Sequence, residues 1–350
     1  MRLLAPTLTL TLTLALTLLM PLTAQAECSG KNLIAALPQA KRAALQTAAD
    51  AAPYASGNIW HATRGPDHIT LVGTFHFDDP RHAATVAALA TDLTAAKTLL
   101  VEAGPHEEAA LQAELAANPA RLIQPGPTLP GPTLPGPTLP GPTLPEILTP
   151  GDWTKLSQAL TARGIPPVLA AKLQPWYVAT LLAVPACRFS AMATAQGLDK
   201  RLIAAATAWG LPVKALEPFD TLFTLFDAMS DADQTDMLLE TLTTTGRLEQ
   251  DMDVTLADSY FAGESRLFWE FSRQQMLDLP GADPARINHQ FALIEDLLMT
   301  RRNRAWLPVI EAQAAKGPVI VAVGALHLPG QLGVLNLLAN DGWTVTPFKP

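Results

Sequence analysis

Two histidines stand in matching settings. In LVGTFHFDDPRH (71–82) an apolar run closes on Gly73, and His76 follows three residues later. In VIVAVGALHLPG (319–330) a β-branched run closes on Gly324, and His327 follows at the same spacing. Glu102 ends a third apolar run, Thr98-Leu-Leu-Val101. Two neutral imidazoles and a carboxylate can hold a catalytic divalent metal and leave a position open for water. In α/β sheets the side chains at the carboxyl ends of strands gather at one site. The spacing therefore allows His76, Glu102 and His327 to share an ion. Each Gly-x-x-His also fits a plainer role, a hydrogen-bonded polar group at a strand end. Spacing alone leaves both readings open. His61, His68, His82, His106 and His289 lack such a setting and read as surface or core residues. Asp78 fits a turn or cap better than a ligand. His106-Glu107-Glu108 is not a zinc-protease helix, because Ala110 stands where the second histidine would be. The chain has no G-x-S-x-G, phosphate-loop or dinucleotide fingerprint.

The elements around these residues must carry them to one place. Residues 59–61 and 68–72 read as a strand pair joined by Arg64-Gly65-Pro66-Asp67. Asp79-Pro80 opens a predicted helix to about Ala95, with Asp79 as its cap, and 98–103 is a short buried strand. Helices are predicted over 33–54 (interrupted at Pro38), 152–163 and 198–209, with a short strand at 213–216. A helical stretch covers 219–275. Residues 286–316 carry Ile287, Phe291, Ile294 and Leu298 on one face, and Pro308 should kink or split that helix. A strand at 318–323, a helix at 331–340 and a strand at 343–347 close the chain. These predict an α/β fold: a mixed sheet formed by N- and C-terminal halves, flanked by helices, with a largely helical middle insertion over 146–316. Between the halves lie four copies of Gly-Pro-Thr-Leu-Pro at 126–145. Two prolines in every five residues forbid helix and remove sheet donors, so this array reads as an extended surface loop.

Composition bounds the setting. Met1–Met20 carries one charge, Arg2, and then a Leu/Thr/Ala run that leads to Ala24-Gln25-Ala26. This is the form of a secretory signal peptide over residues 1–26; an uncleaved membrane anchor is the alternative. Glu27 before Cys28 argues against a lipoprotein. Export implies a periplasmic or secreted protein. Cys28 and Cys187 are the only cysteines, and in an oxidising compartment an even pair most simply forms a disulfide. Two separate thiols are the other reading. The net charge of −8 offers no footprint for nucleic acid or an anionic membrane. No later run reaches the roughly 18 apolar residues of a membrane span. The hydrophobic share, 49%, suits a globular core, and residues 27–350 read as one domain.

The chain resembles the TraB/GumN family, which includes the Tiki metalloproteases and has distant structural kinship with erythromycin esterase-like proteins. The resemblance rests on LVGTFH (71–76), VEAG (101–104), GLDKRL (197–202), ALEP (215–218), YFAGE (260–264), RRNRAW (301–306) and VAVGALHLPGQLGVLNLLANDGWTV (321–345). It departs from the family in the proline array and in VEAG, where relatives often carry an acidic residue shortly after the glutamate. It implies a metal-dependent hydrolase that acts on a peptide or small molecule. His76, Glu102 and His327 would hold a divalent ion: Mn, Co or Zn. Glu102 would ligate or act as general base, and Arg302, beside Asn303, would steady an oxyanion. A solvated helix face is the other reading for Arg301, Arg302 and Arg304. A non-catalytic periplasmic binding protein that keeps the fold is the alternative function.

Overall fold

The computed structural model describes residues 28–128 and 138–349. The expected signal segment and the middle of the proline array lie outside them. Six strands form one mixed sheet: β1 (Ile59–Arg64), β2 (Asp67–Thr74), β3 (Thr98–Val101), β6 (Val213–Ala215), β7 (Val319–Gly324) and β8 (Thr344–Pro347). The other two strands, β4 (Pro125–Thr128) and β5 (Thr138–Pro140), pair separately. The order across the sheet is β6-β3-β7-β2-β1-β8. β6, β3, β7 and β2 run parallel, and β1 is antiparallel to both β2 and β8. The two halves of the chain thus interleave, with β7 between β3 and β2. Many helices flank the sheet, and the middle of the chain is largely helical, as predicted.

Both faces of the sheet are covered, which is why β7 reads as an unbroken apolar run. Val319, Val321 and Val323 join Leu71, Trp306 and Leu335 in one core cluster. Ile320 and Ala322 face the other way, toward Val72, Leu99, Leu198, Leu202 and Tyr260. The period-two alternation of side chains assigns neighbours to opposite layers. A further cluster, including Leu144, Leu156, Val178 and Leu238, lies wholly among helices of the middle region.

Several elements differ from expectation. The helix predicted over 80–95 is two pieces, His82–Ala88 and Ala90–Ala95. Asp79 makes the expected capping bond, although the regular helix begins only at His82. Asp79 Oδ1 accepts Arg81 N–H at 2.9 Å and Arg81 Nε at 3.0 Å, which closes a turn before the helix. A helix at Pro105–Ala117 was not anticipated. Pro308 does not split its helix, which runs unbroken over Arg301–Ala314. Pro308 and Arg304 both lie on the solvent face, where water can take the freed carbonyl. The irregularity comes earlier, as a wide π turn at Glu295–Thr300.

The proline array is not wholly an extended loop. Its flanks pair, Pro125 with Pro140 and Thr128 with Thr138. The last copy is built into the core: Thr143 and Glu146 form a capping box, and Leu144 is fully buried. Each strand of a two-stranded ribbon has only one neighbour and needs few ladder bonds, so proline is tolerated there. Cys28 and Cys187 are disulfide-bonded, with Cα atoms 5.5 Å apart. No helix among the described residues is long and apolar enough to cross a membrane.

Candidate metal centre

Parallel register brings four strand ends level. Thr74 pairs with Gly324, and Val101 pairs with both Ala322 and Ala215. The residues just past these ends are Phe75-His76, Glu102, Leu216-Glu217 and Ala325-Leu326-His327. Glu102 Oε1 accepts the Gly324 N–H at 2.6 Å. A Cβ at Gly324 would lie 3.3 Å from Glu102 Oε1, 3.5 Å from His327 Cδ2 and 3.7 Å from His76 Nε2. A glycine there keeps open the space onto which all three side chains converge. Gly197 has a similar role. A Cβ there would stand 2.3 Å from His76 O, so only glycine lets the helix Leu198–Ala208 start against this loop. Leu198 N–H then donates to Phe75 O at 2.9 Å.

Each histidine has one nitrogen held and the other turned to that space. His327 is buried, and its Nδ1 lies 2.6 Å from Asn303 Oδ1. An amide oxygen only accepts, so Nδ1 carries the proton and Nε2 keeps its lone pair. Nε2 stands 3.7 Å from Glu102 Oε1. Burial pushes the His327 pKa down to about 4; Arg302 and His76 add to this, and Glu102 opposes it. His76 Nδ1 lies 3.3 Å from Asp199 Oδ1. Burial by the surrounding loop works against its proton, but the Asp199 hydrogen bond and the Asp199 and Glu102 charges outweigh it and raise the pKa. The His76 side chain is 63% exposed, so water screens that pair, and the upward direction is what the geometry supports.

Arg302 knits the floor. Of the three arginines at 301, 302 and 304 only Arg302 is buried. Its Nη2 donates to Glu102 Oε2 at 2.7 Å and to Glu217 Oε1 at 2.5 Å. Nε donates to both Glu217 oxygens, at 3.1 and 3.0 Å. Nη1 donates to Leu298 O, a carbonyl of the wide π turn, at 3.1 Å and lies 3.4 Å from His327 Nε2. Trp306 Nε1 donates to Glu217 Oε2 at 2.9 Å, and its ring lies 4.5 Å from that of His327. Burial alone would raise the Glu102 pKa. The His327 ring, Arg302, His76 and the Gly324 N–H outweigh burial and hold the carboxyl well below the usual range.

Glu217 and Asp199 were missed from sequence. Glu217 follows a short strand just as Glu102 does, and that repeated position was the available signal. Asp199 sits in the first turn of its helix, and its one signal was its place in the GLDKRL stretch that carries the family resemblance. Asp78 accepts Arg201 Nη2 at 2.7 Å, an ion-pairing role. His82 is a core residue, with Nε2 3.0 Å from Phe77 O. His106 and His289 are exposed. His61 and His68 depart from the surface-or-core reading. With Asp92 they form the only trio among the described residues whose ligand atoms all lie within 4.8 Å of one another. That trio could hold a metal ion. The His76, Glu102 and His327 donors are more widely spaced, because His76 leans out toward Asp199. A cleft of about 610 Å³, lined by Asn32, Arg42, Asp258 and Leu267 among others, contains none of these residues.

A model of the TraB/PrgY/gumN family matches residues 58–347, which takes in every side chain of this centre. The chain belongs to that family. No curated protein and no solved structure matches it. The TraB/PrgY/gumN match spans the whole sheet, so membership covers the frame that aligns the strand ends as well as the motifs themselves.

Proposed function

We propose that this protein is an exported metal-dependent hydrolase, with peptides as the first substrate class to test. Its centre would use His76, Glu102 and His327 to hold a divalent ion: Mn, Co or Zn. The observation that carries the reading is the convergence of two imidazoles and a carboxylate on the space left by Gly324. The donor chemistry fits. His327 is fixed through Nδ1 by Asn303 and His76 through Nδ1 by Asp199, the outer-shell arrangement that orients ligating histidines. Two carboxylates, Glu102 and Glu217, bond one guanidinium, Arg302, and a third, Asp199, stands against His76, so the site carries surplus negative charge for a cation. When bound, the ion supplies a water acidified toward neutral pH.

The chain's own groups divide the remaining work. The lowered pKa of Glu102 supports a ligand over a general base, because a base must take up a proton near working pH. The donors of Arg302 are already turned to Glu217, Glu102, Leu298 O and His327. That supports a role in positioning Glu102 and His327 in place of direct contact with an oxyanion. The Cys28–Cys187 pair supports export to an oxidising compartment, and we read residues 27–350 as one domain behind a signal at 1–26.

A second reading, a non-catalytic binding protein, is favoured by the Glu102–Arg302 ion pair, which neutralises the carboxylate without a metal. One experiment separates the two. Protein purified from the periplasm without chelator should carry metal at the centre and cleave a mixed peptide substrate. His76→Ala or His327→Ala should abolish both, and the double variant should lose little more, because the site acts as a unit. Metal lost in each variant without any turnover by the parent would leave the binding protein standing.

A further inference from the structure

The centre does not absorb His61, His68 and Asp92. β1 and β2 pair antiparallel, with His61 opposite Thr70 and Thr63 opposite His68. His61 and His68 are therefore diagonal neighbours on one face of the hairpin, and their rings lie 4.8 Å apart. Asp92, from the helix Ala90–Ala95, reaches the same face. Its Oδ1 lies 3.0 Å from His61 Nε2 and 3.9 Å from His68 Nε2. Thr70 Oγ1 donates to that same oxygen at 2.6 Å, which fixes the carboxylate.

We propose that His61, His68 and Asp92 form a divalent transition-metal site, separate from the His76–His327 centre, that clips the β1–β2 hairpin to the helix Ala90–Ala95. Two imidazoles and one carboxylate select a borderline ion such as zinc, nickel or copper over magnesium or calcium. Tetrahedral bonds of about 2.0–2.1 Å put ligand atoms about 3.4 Å apart, and the observed 3.0 and 3.9 Å bracket that spacing. The side chains of His61 and His68 are 28% and 34% exposed, open enough for an ion to enter and for water to complete its shell. The Phe348 ring, 5.2 Å from that of His61, screens one side. His68 sits near the start of β2 and His76 just past its end, roughly 25 Å away at about 3.3 Å per residue. The two sites therefore cannot share an ion.

Zinc titration of the full exported chain tests this. The His76→Ala/His327→Ala variant should still bind one zinc and gain thermal stability from it. Adding His61→Ala and His68→Ala should abolish both effects. The His61→Ala/His68→Ala variant alone should keep whatever metal the other centre holds, so the two proposals fail independently. A variant can misfold, so the unmutated protein is also labelled with diethyl pyrocarbonate. Zinc should protect His61 and His68 from modification. Zinc-loaded protein in which both react as fast as without zinc overturns the proposal. So does a folded His76→Ala/His327→Ala variant that binds no zinc.

Discussion

Asn303 Oδ1 fixes the tautomer of His327 at 2.6 Å, while its Nδ2 donates to Leu332 O at 2.9 Å and His327 O at 3.3 Å. One amide thus sets both the protonation and the backbone position of a proposed ligand. Asn303→Ala should lower metal affinity about 10–100-fold, the usual cost of losing such a partner. It should also destabilise the fold by about 1–3 kcal/mol, because buried groups lose their bonds. Asn303→Asp keeps an acceptor for Nδ1 and should recover much of the affinity. Competition against a chromophoric chelator reads the first effect and urea denaturation the second. Unchanged affinity in the alanine variant would mean that His327 is not a ligand oriented from Nδ1.

At the scale of elements, the proline array and the helix Asp231–Thr243 behave differently. Copies at 126–140 end in a ribbon whose Pro125 and Pro140 are already partners. Joining residue 125 to 141 shortens a loop at little cost, since closure entropy changes by only about 0.6 kcal/mol per doubling of length. The copy at 141–145 is another matter, because Leu144 is fully buried among Leu148, Leu156 and Leu160. Deleting 126–140 should leave the melting temperature nearly unchanged, whereas Leu144→Ala should cost about 2–5 kcal/mol. Equal losses from both changes would show that the ribbon packs as tightly as the core.

Glu240, on that helix, has a buried Oε1 without a partner. Burial pushes its pKa from an ordinary 4.5 up to about 7, aided by Asp236 and opposed by Arg286 and His289. The folded state therefore holds this proton more tightly than the unfolded chain. Its contribution to stability is full below about pH 4.5 and is lost as pH rises through about 7. Glu240→Gln should narrow the loss of stability between pH 5 and pH 8, read as the shift in denaturation midpoint. Parallel curves for the two proteins would rule this out.

For the whole molecule, the Cys28–Cys187 bond ties the first described residue to the helical middle across a separation of 159 residues. Restricting the unfolded chain over so long a loop should stabilise by about 2–5 kcal/mol. Non-reducing peptide mapping of exported protein should find the linked pair, and reduction should lower the urea midpoint accordingly. Two alkylatable thiols in native protein would end this expectation. The interleaved sheet order adds a second long-range constraint, because β7 must enter between β3 and β2 before the strand ends align. The centre is therefore a property of the finished sheet, and no fragment ending before β7 contains it.

The sequence by itself determined the α/β class, the family, the strand-ending positions of His76, Glu102 and His327, and the cysteine pair. These follow from local signals: apolar runs, Gly-x-x-His spacing and cysteine count. Only the tertiary structure decided which arginine faces inward, since three near-adjacent helical positions look alike until a helix is packed. It also brought in Glu217 and Asp199, from elements whose register is set by neighbours far along the chain. Pairing of β1 with β2, and docking of the helix Ala90–Ala95 on them, joined His61, His68 and Asp92. No spacing rule links those residues, because their proximity arises across a hairpin and a layer. Pro308 inside an unbroken helix went the same way: solvent on that face satisfies what the local rule forbids.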